Sequence, residues 1–324
     1  MTGARSGTRV MVAGSANVDF VVRAPHIPAP GETVLGGDLL VVPGGKGANQ
    51  AMACARAGGA QTTFLAALGD DAFAGIVEAS LLKAGVSVQA VRSARSTGAA
   101  LITVSDDAEN AITVAPGANA SLKPSDLPDL GDTRVLVLQL ETPIETVTAF
   151  AQAGRAAGVT VLLNAAPARS LPVSLLRSVD VLVVNEAELA AIAGGTGTIA
   201  EQLAATGVAC VIATLGSRGC CALTQGQYIF QPAFLVDPCD TTAAGDTFVG
   251  VLAAALACGR SLADGLADAS AAAALSTTRH GAQSSIPEMA EVAAFRLQAT
   301  GGNSADLASY CGLEAASRDI ELNA

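Results

Sequence analysis

The stretch Arg134-Val-Leu-Val-Leu-Gln-Leu140 decides the fold, because it is a nearly continuous apolar run without alternating polar side chains. A helical pattern follows at residues 146–157, and a second apolar run follows at 159–163. Strands of this kind are typical of parallel sheets that are covered by helices on both faces. The sequence therefore predicts strand, helix and strand in succession, with the two strands parallel.

The same alternation extends in both directions along the chain. Apolar runs at 9–13, 62–68, 181–184 and 208–213 predict further strands, and helical patterns lie between them, as at 71–84. We therefore expect an α/β fold in which helices cover both faces of a mostly parallel central sheet, making a three-layer α/β/α core.

Two patches of the sequence break this alternation. Residues 18–42 and 88–114 contain short β-prone pieces, and prolines and glycines interrupt the first of them. We expect the two patches to meet as a small β sheet that acts as a lid, since a hinged sheet can exclude water from a reaction. The predicted organisation is a core of residues 9–17, 43–87 and 115–300, the lid, a flexible tail at 1–8 and a C-terminal tail at 301–324.

The composition argues against several classes of protein. The net charge of −11, with no cluster of Lys or Arg, argues against a nucleic-acid partner. No apolar run reaches the length of a membrane span, and residues 1–8 do not resemble a signal peptide. Seven cysteines without a Cys-x-x-Cys pair suggest reduced thiols and a cytoplasmic protein. Two histidines are too few for a His-rich metal site.

The stretch Asp240-Thr-Thr-Ala-Ala-Gly-Asp-Thr-Phe248 predicts the start of a buried helix, because polar cap residues precede small and then apolar ones. The first N–H groups of a helix have no intrahelical acceptor, and the small side chains at 243–245 leave them open to an anion such as phosphate. Asp246 can then take the proton of a substrate hydroxyl. The alternative is a capped helix whose acid only favours the helix dipole.

Two other motifs carry polar groups that suit sugar hydroxyls. Asn17 and Asp19 follow the first strand and project the same way if this segment is extended. Pro43-Gly-Gly-Lys-Gly-Ala-Asn-Gln-Ala-Met52 is a glycine-rich loop that opens a helix, and it is not a Walker A motif. Its Lys46 and Asn49 can reach hydroxyls from the first turn. Each motif alone is also compatible with an ordinary turn or loop.

Polar residues directly follow four of the predicted strands, at Glu141, Asn164, 185–188 and 214–219. Ligands of parallel sheets bind beyond the carboxyl ends of the strands, so four such positions together favour a binding site. Further along, residues 277–287 follow a helix predicted at 261–276. This turn either binds a cation through its oxygens or simply ends the helix.

Taken in order, these motifs resemble the PfkB family of carbohydrate kinases. The resemblance covers about residues 9–298 and rests on residues 14–19, 44–51, 139–141, 185–188, 214–216, 240–246 and 281–287. It implies ATP-dependent phosphorylation of a sugar, with D-ribose converted at its 5-hydroxyl to D-ribose 5-phosphate and ADP as products. The Ala-Ala-Gly-Asp sequence, residues 46–50 and Glu141 are more similar to the ribose kinases of the family than to its nucleoside kinases.

The resemblance also implies roles for individual residues. Asp246 would be the base, beside an anion hole formed by the N–H groups of Ala243, Ala244 and Gly245. The sugar would lie under the lid against Asn17, Asp19, Gly45, Lys46, Asn49, Glu141 and Asp246. The ATP site would be lined by Asn185, Glu188, Thr214, Gly216, Ser217, Arg218, Gly219 and Gly245. Glu188 would help to order Mg²⁺ through water, and K⁺ would lie on Asp240, Thr242, Ser276, Arg279, Gly281 and Ser285. Family members commonly clasp their lids together, which implies a homodimer.

Two alternatives stay open at this point. One is a kinase of the same family that acts on 2-deoxyribose or a nucleoside such as adenosine, although Lys46 and Glu141 make a small polar pocket. The other is a sugar-binding regulator without catalysis, which has no need of a base at Asp246. The adenine contacts are undefined by the sequence, because Ala269 and Ser270 are small where a stacking or polar side chain is expected.

Overall fold

The computed structural model describes residues 9–107 and 109–313, and its apolar runs form the strands of a nine-stranded sheet. The strands of this sheet are β1 (Arg9–Ala13), β4 (Gln61–Gly69), β5 (Ser87–Ser93), β8 (Val135–Leu138), β9 (Thr160–Asn164), β10 (Val181–Asn185), β11 (Cys210–Thr214), β12 (Gly219–Thr224) and β13 (Gln227–Pro232). Their spatial order is β13-β12-β11-β10-β9-β8-β1-β4-β5. All pairs from β5 to β11 are parallel, and β12 and β13 add an antiparallel edge.

Helices cover both faces of this sheet, as the apolar strands require. They are α1 (Lys46–Arg56), α2 (Ala72–Lys83), α3 (Ile144–Ala156), α4 (Val173–Leu176), α5 (Glu186–Ala193), α6 (Ile199–Ala205), α7 (Ala244–Ala257), α8 (Leu262–Thr277), α9 (Met289–Gln298) and α10 (Ser304–Tyr310). Successive residues of β1 point to opposite faces: Val10 and Val12 enter the core under α1, α7 and α8, whereas Met11 and Ala13 enter the core under α3 and α5. The predicted three-layer α/β/α fold is confirmed.

A second, four-stranded sheet has the order β3-β2-β6-β7. It consists of β2 (Asn17–Ala24), β3 (Leu40–Gly44), β6 (Gly98–Ser105) and β7 (Asn110–Ala115), with β2 and β6 parallel and the outer strands antiparallel. This is the small sheet that was expected from the two irregular patches. Its action as a lid stays a prediction.

The predicted start of the second lid patch, at residue 88, needs correction. Residues 87–93 form β5, which pairs in parallel with β4 at the edge of the large sheet. The side chains of β5 alternate between exposed and half-buried positions, because an edge strand is only partly covered. From the sequence, this pattern cannot be distinguished from that of a strand in a small exposed sheet.

The segment predicted as a C-terminal tail from residue 301 contains a helix. Helix α10 begins at an Asn303 cap, whose Oδ1 accepts a hydrogen bond from the Ala305 amide at 2.8 Å. Leu307 and Cys311 are buried in the core between α5, α6 and β12. The tail predicted at 1–8 and residues 314–324 lie outside the described residues.

Within the described part of the chain, no helix is both long and apolar enough to span a membrane. All seven cysteines are among the described residues, and all are free thiols.

Candidate active site

Asp246 lies in the first turn of α7, and its side chain is held from the neighbouring helix α1. Asn49 Nδ2 donates to Asp246 Oδ2 at 3.0 Å, and Gln50 Nε2 donates to Asp246 Oδ1 at 2.9 Å. Only 7% of Asp246 is exposed. Two neutral donors fix the direction of this buried carboxylate, which suits the predicted base.

Helices α1 and α7 pack closely enough for these hydrogen bonds because small residues line their contact. A Cβ added at Gly250 would lie 2.5 Å from the Gln50 carbonyl oxygen and 2.6 Å from Ala53 Cβ. The close approach therefore depends on the glycine at this position of α7.

Gln50 is the centre of a buried amide network that the sequence did not reveal. Its Nε2 also donates to Asn164 Oδ1 at 3.0 Å, and its Oε1 accepts from Gln139 Nε2 at 2.6 Å. Gln50 and Gln139 are fully buried, and Asn164 nearly so. Each side-chain amide of this network is oriented by its hydrogen-bonded neighbour. The network therefore fixes the position of the Asp246 carboxylate. Gln50 occurs within the glycine-rich motif, but its spacing alone does not indicate this role.

The residues predicted to bind the sugar come together where α1 begins. Glu141, which follows β8, accepts from Ser15 Oγ at 2.5 Å and from the Lys46 amide at 3.3 Å through its Oε2. Gly45 has φ +93°, and a Cβ there would lie 2.8 Å from the Asn17 amide nitrogen. Only glycine is suited to this position, so the loop brings the start of α1 against the strand that carries Asn17 and Asp19.

Asn17 has a neighbour that sequence reasoning missed. Asn119 is buried, and its Nδ2 donates to Asn17 Oδ1 at 2.8 Å while its Oδ1 accepts from the Ala16 amide at 2.9 Å. These bonds fix the orientation of the Asn17 amide, leaving its Nδ2 as the available donor. Asn119 lies in the short 3₁₀ helix Gly117–Ser121, for which we made no prediction.

The charges of the site influence one another strongly. Burial, followed by the nearby Glu141 and Asp246 carboxylates, raises the pKa of Asp19 from 3.8 to about 6. The Asp246 carboxylate is the largest cause of the raised pKa of Lys46, which keeps the ammonium group protonated. Burial raises the pKa of Glu188. One ammonium group among four carboxylates makes a pocket that suits hydroxyl donors and cations.

A cavity of about 360 Å³ opens beside the N-terminus of α7. Five of the predicted ATP-site residues line it: Thr214, Gly216, Ser217, Gly219 and Gly245. Its other walls are largely apolar and include Phe234, Leu235, Phe248, Ser270 and Ala273. Apolar walls suit a nucleotide base, and a few backbone donors suit a phosphate chain. The cavity places Ser270 on its wall, beside aromatic residues that the sequence did not indicate.

Three other predicted ATP-site residues have intramolecular contacts. Asn185 and Glu188 cap α5 reciprocally: each side chain accepts a hydrogen bond of 2.8 Å from the other residue's amide. The guanidinium of Arg218 lies 4.0 Å from the centre of the Tyr310 ring. Arg218 is absent from the lining of the cavity, whereas Ser217 and Gly219 on either side of it contribute.

The anion hole predicted at the start of α7 has an unusual backbone. Ala243 has φ +59°, a left-handed conformation that is unfavourable for a residue with a Cβ. The Ala244 amide donates to the Thr241 carbonyl at 3.3 Å, and a Cβ added at Gly245 would meet no atom within 4 Å. The turn therefore leaves the Gly245 side of the helix terminus open to the cavity.

Asp240 contacts two of the other predicted cation residues, Thr242 and Gly281. Its carboxylate accepts from the Thr242 amide at 2.9 Å and from the Gly281 amide at 2.8 Å. Burial opposes ionisation, but these hydrogen bonds outweigh it and lower the pKa of Asp240. The guanidinium of Arg279 pairs with Glu291, so only its backbone is available here. In the described ranges, no three His, Cys, Asp or Glu side chains are grouped to hold a metal ion.

A larger cavity of about 560 Å³ lies between α1, α2 and the loop at 281–284. Of the predicted site residues it contains only Gly281. Its size therefore does not identify it with the sugar or nucleotide site.

The model of the pfkB family of carbohydrate kinases matches residues 7–289 of the chain. The chain belongs to this family. Its pfkB-type features include the residues around Asp246 and the glycine loop at the start of α1, which fall within the matched region.

Individual relatives extend the similarity over most of the chain. The ribokinase of Haemophilus influenzae is 37% identical over 88% of this chain and 97% of its own length. The deoxyribokinase of Salmonella typhi is 34% identical over 86% of this chain and 96% of its own length. Among solved structures, Arabidopsis thaliana ribokinase complexed with ribose and ATP has a TM-score of 0.81 and 32% identity, covering 90% of this chain and 98% of its own.

Proposed function

We propose that this pfkB-family protein transfers the γ-phosphoryl group of ATP to the 5-hydroxyl of D-ribose, giving D-ribose 5-phosphate and ADP. The observation that carries the proposal is the position of Asp246. It lies at the open N-terminus of α7, next to the cavity, and both of its oxygens are held by residues of α1. The helix that carries the predicted sugar ligands therefore also positions the predicted base.

A sugar fits the polar atoms that the protein itself leaves unmatched. Asn49 Oδ1 is buried, and among the described residues it has no hydrogen-bond donor. A buried acceptor of this kind is costly unless a ligand hydroxyl donates to it. Asn17 Nδ2 and the Asp19 carboxylate supply a donor and an acceptor for neighbouring hydroxyls.

The proposed reaction uses positioning and charge more than covalent chemistry. Asp246 accepts the proton of the hydroxyl as its oxygen attacks the γ-phosphorus, and the bond between that phosphorus and the β,γ-bridging oxygen breaks. The α7 N-terminus stabilises the charge on the transferring group. The Lys46 ammonium group binds a sugar hydroxyl, and its raised pKa keeps it charged.

The residues also fit the two cations that the family implies. Glu188 is buried with a raised pKa, so a nearby cation would favour its ionised form, and it would hold Mg²⁺ through water. When bound, Mg²⁺ neutralises phosphate charge. The Asp240 carboxylate, held by the Thr242 and Gly281 amides, would supply oxygen ligands to K⁺.

The test is ADP release from ATP and Mg²⁺ with D-ribose, 2-deoxyribose, adenosine and fructose 6-phosphate as acceptors, with and without K⁺. We expect the highest kcat/KM on D-ribose and a fall when K⁺ is withdrawn. Phosphorus NMR of the product identifies the 5-position. Activity confined to another acceptor would refute the ribose assignment, and ligand binding without turnover would favour the sugar-binding regulator.

The second candidate acceptor is 2-deoxyribose, which the similarity to a deoxyribokinase favours. A site that binds the 2-hydroxyl leaves polar groups unpaired when this hydroxyl is missing, and so discriminates strongly. A kcat/KM for 2-deoxyribose equal to or above that for ribose would establish this alternative.

We further propose that the protein is cytoplasmic and forms a homodimer through its small sheets. Strand register places Leu40, Ile112 and Val114 on the same face as Asp19, and all three are exposed. An apolar surface of this kind beside a polar site suits a second copy of the sheet. Ile112→Glu is expected to give a monomer in light scattering. Leu101→Glu, equally exposed on the opposite face, is the control, and a dimeric Ile112→Glu variant would contradict the proposal.

A further inference from the structure

The chain continues past the family match and contacts the nucleotide cavity from outside. The match ends at residue 289, whereas the described chain runs to 313. The Leu235 amide donates to the Thr300 carbonyl at 3.1 Å, and the Gly302 amide donates to the Ala233 carbonyl at 3.0 Å. Ala233 and Leu235 line the cavity, so this backbone pairing supports one of its walls.

The helix that follows is firmly attached rather than loosely associated. Leu307 of α10 is 3% exposed, and Cys311 is fully buried. The Cys311 carbonyl accepts from the Ala200 amide at 3.0 Å at the start of α6. Two buried anchors and a backbone bond set both the position and the rotation of α10, so its outward-facing side chains have defined neighbours.

Because α10 is fixed in this way, Tyr310 contacts both of the segments that carry the predicted ATP-site residues. Its hydroxyl donates to Glu186 Oε1 at 2.6 Å, at the first residue of α5. Its ring stacks on Arg218, the last residue of the 3₁₀ turn Gly216–Arg218. The first segment is the junction where β10 runs directly into α5, and it carries Asn185 and Glu188; the second is the turn that carries Ser217 and Gly219. One side chain therefore connects segments from the ends of two adjacent parallel strands, β10 and β11.

We propose that residues 300–313 are part of the nucleotide-binding site, with Tyr310 as a positioning residue that holds the two segments in their ATP-binding arrangement. The proposal rests on the assignment of the cavity to ATP. Segments ordered before binding lose less conformational entropy on binding, so ligand affinity is greater. The Arg218 side chain is stacked on Tyr310 and does not line the cavity, whereas Gly216, Ser217 and Gly219 do.

The experiment is calorimetric titration of the full chain with ADP and Mg²⁺, and separately with D-ribose. Tyr310→Ala is expected to weaken ADP binding about threefold to tenfold, because the cation–π contact and the hydrogen bond are both lost. Tyr310→Phe keeps the ring and is expected to weaken ADP binding about twofold. Asp132→Asn, an exposed acid that pairs with Arg9 outside this segment, is the control with unchanged affinity. Ribose affinity is expected to stay unchanged in all three variants.

Unchanged ADP affinity in Tyr310→Ala would overturn the proposal. An equal loss of ADP and ribose affinity would also overturn it, because that result indicates general destabilisation. ADP binding needs no turnover, so failure of the ribose assignment is distinguishable: a wild-type chain that binds ADP but phosphorylates no sugar refutes that assignment alone. A wild-type chain that does not bind ADP refutes both.

Discussion

The predicted sugar side and the predicted nucleotide side of the site are built on opposite principles. On the sugar side, the buried Asn49 and Gln50 both donate hydrogen bonds to the buried Asp246 carboxylate. On the nucleotide side, an open cavity is walled by apolar side chains and exposed loop backbone, and its loops are held from behind by Tyr310. A site that distinguishes sugars by their hydroxyl groups needs polar atoms in fixed positions. A nucleotide is larger and carries a charged phosphate chain, so its site needs an open cavity and preformed backbone donors.

The largest expected effect comes from the residue where the two sides meet. Asp246→Asn removes the proton acceptor while keeping the size of the side chain, so kcat is expected to fall by about 10²–10⁴. Ribose affinity in calorimetry should change far less. Asp132→Asn, an exposed acid paired with Arg9, is the control with normal kcat. Near wild-type turnover in the Asp246→Asn variant would contradict the assignment of Asp246 as the base.

Glu141→Gln is expected to raise KM for ribose tenfold to hundredfold without a comparable change in KM for ATP. The substitution removes the charge that accepts from Ser15 and the Lys46 amide, and charge-assisted hydrogen bonds contribute about 1.5–3 kcal/mol. KM for ribose should rise by that factor while KM for ATP stays within about twofold. Equal rises in both KM values would show that the two sides are not separable at this residue.

The raised pKa of Asp19 predicts a pH dependence that belongs to the sugar side. Below its pKa of about 6 the carboxyl is protonated and loses acceptor strength, so KM for ribose should rise with falling pH. Between 3.8 and about 6 the folded state holds a proton that the unfolded state has lost, so stability falls as pH rises through this range. Asp19→Asn should remove both dependences. A profile of KM against pH and urea unfolding at pH 4 and pH 8 check them.

A matched pair of alanine substitutions in α7 gives the smallest effects and the most direct comparison. Gly250→Ala forces a methyl group into the contact with α1, at an expected cost of about 1–3 kcal/mol in unfolding free energy and with a loss of kcat. Gly245→Ala meets open space, so the free energy of unfolding should hold or increase slightly. Its methyl group should instead raise KM for ATP a few fold, because it enters the cavity. Denaturant titration and steady-state kinetics separate the two outcomes.

The sequence was sufficient for the parts of the fold that are buried on two faces. Residues 135–138 and 181–184 are unbroken apolar runs, and their place as parallel strands of a covered sheet was predicted correctly. Strand β5 was assigned to the wrong sheet, because a half-buried edge strand has the same pattern in either place. The hairpin between β12 and β13 went unpredicted, although its Gln225 and Gly226, both with positive φ, mark a tight turn.

The site was predictable where a motif combines unusual residues, and not where ordinary residues act through long-range contacts. The positions of Lys46, Glu141 and Asp246 follow from motifs, and their roles in binding and catalysis stay predictions. Asn119 contacts Asn17 from 102 residues away, a relation that no local pattern encodes. Tyr310 was missed for the same reason. A short amphipathic helix around it is nevertheless indicated by the Asn303 cap and by Leu307 and Cys311, which are four residues apart.

The central position of β1 has a consequence for synthesis of the chain. This strand lies between β4 and β8, with Val10 aligned to Thr62 on one side and to Val135 on the other. A nascent chain that has not yet released residues 135–138 from the ribosome therefore presents an unpaired edge in what becomes the middle of the sheet. Unpaired strand edges can form hydrogen bonds with other chains. While only the first 130 or so residues have been synthesised, the nascent chain is therefore most prone to aggregate and most in need of chaperones.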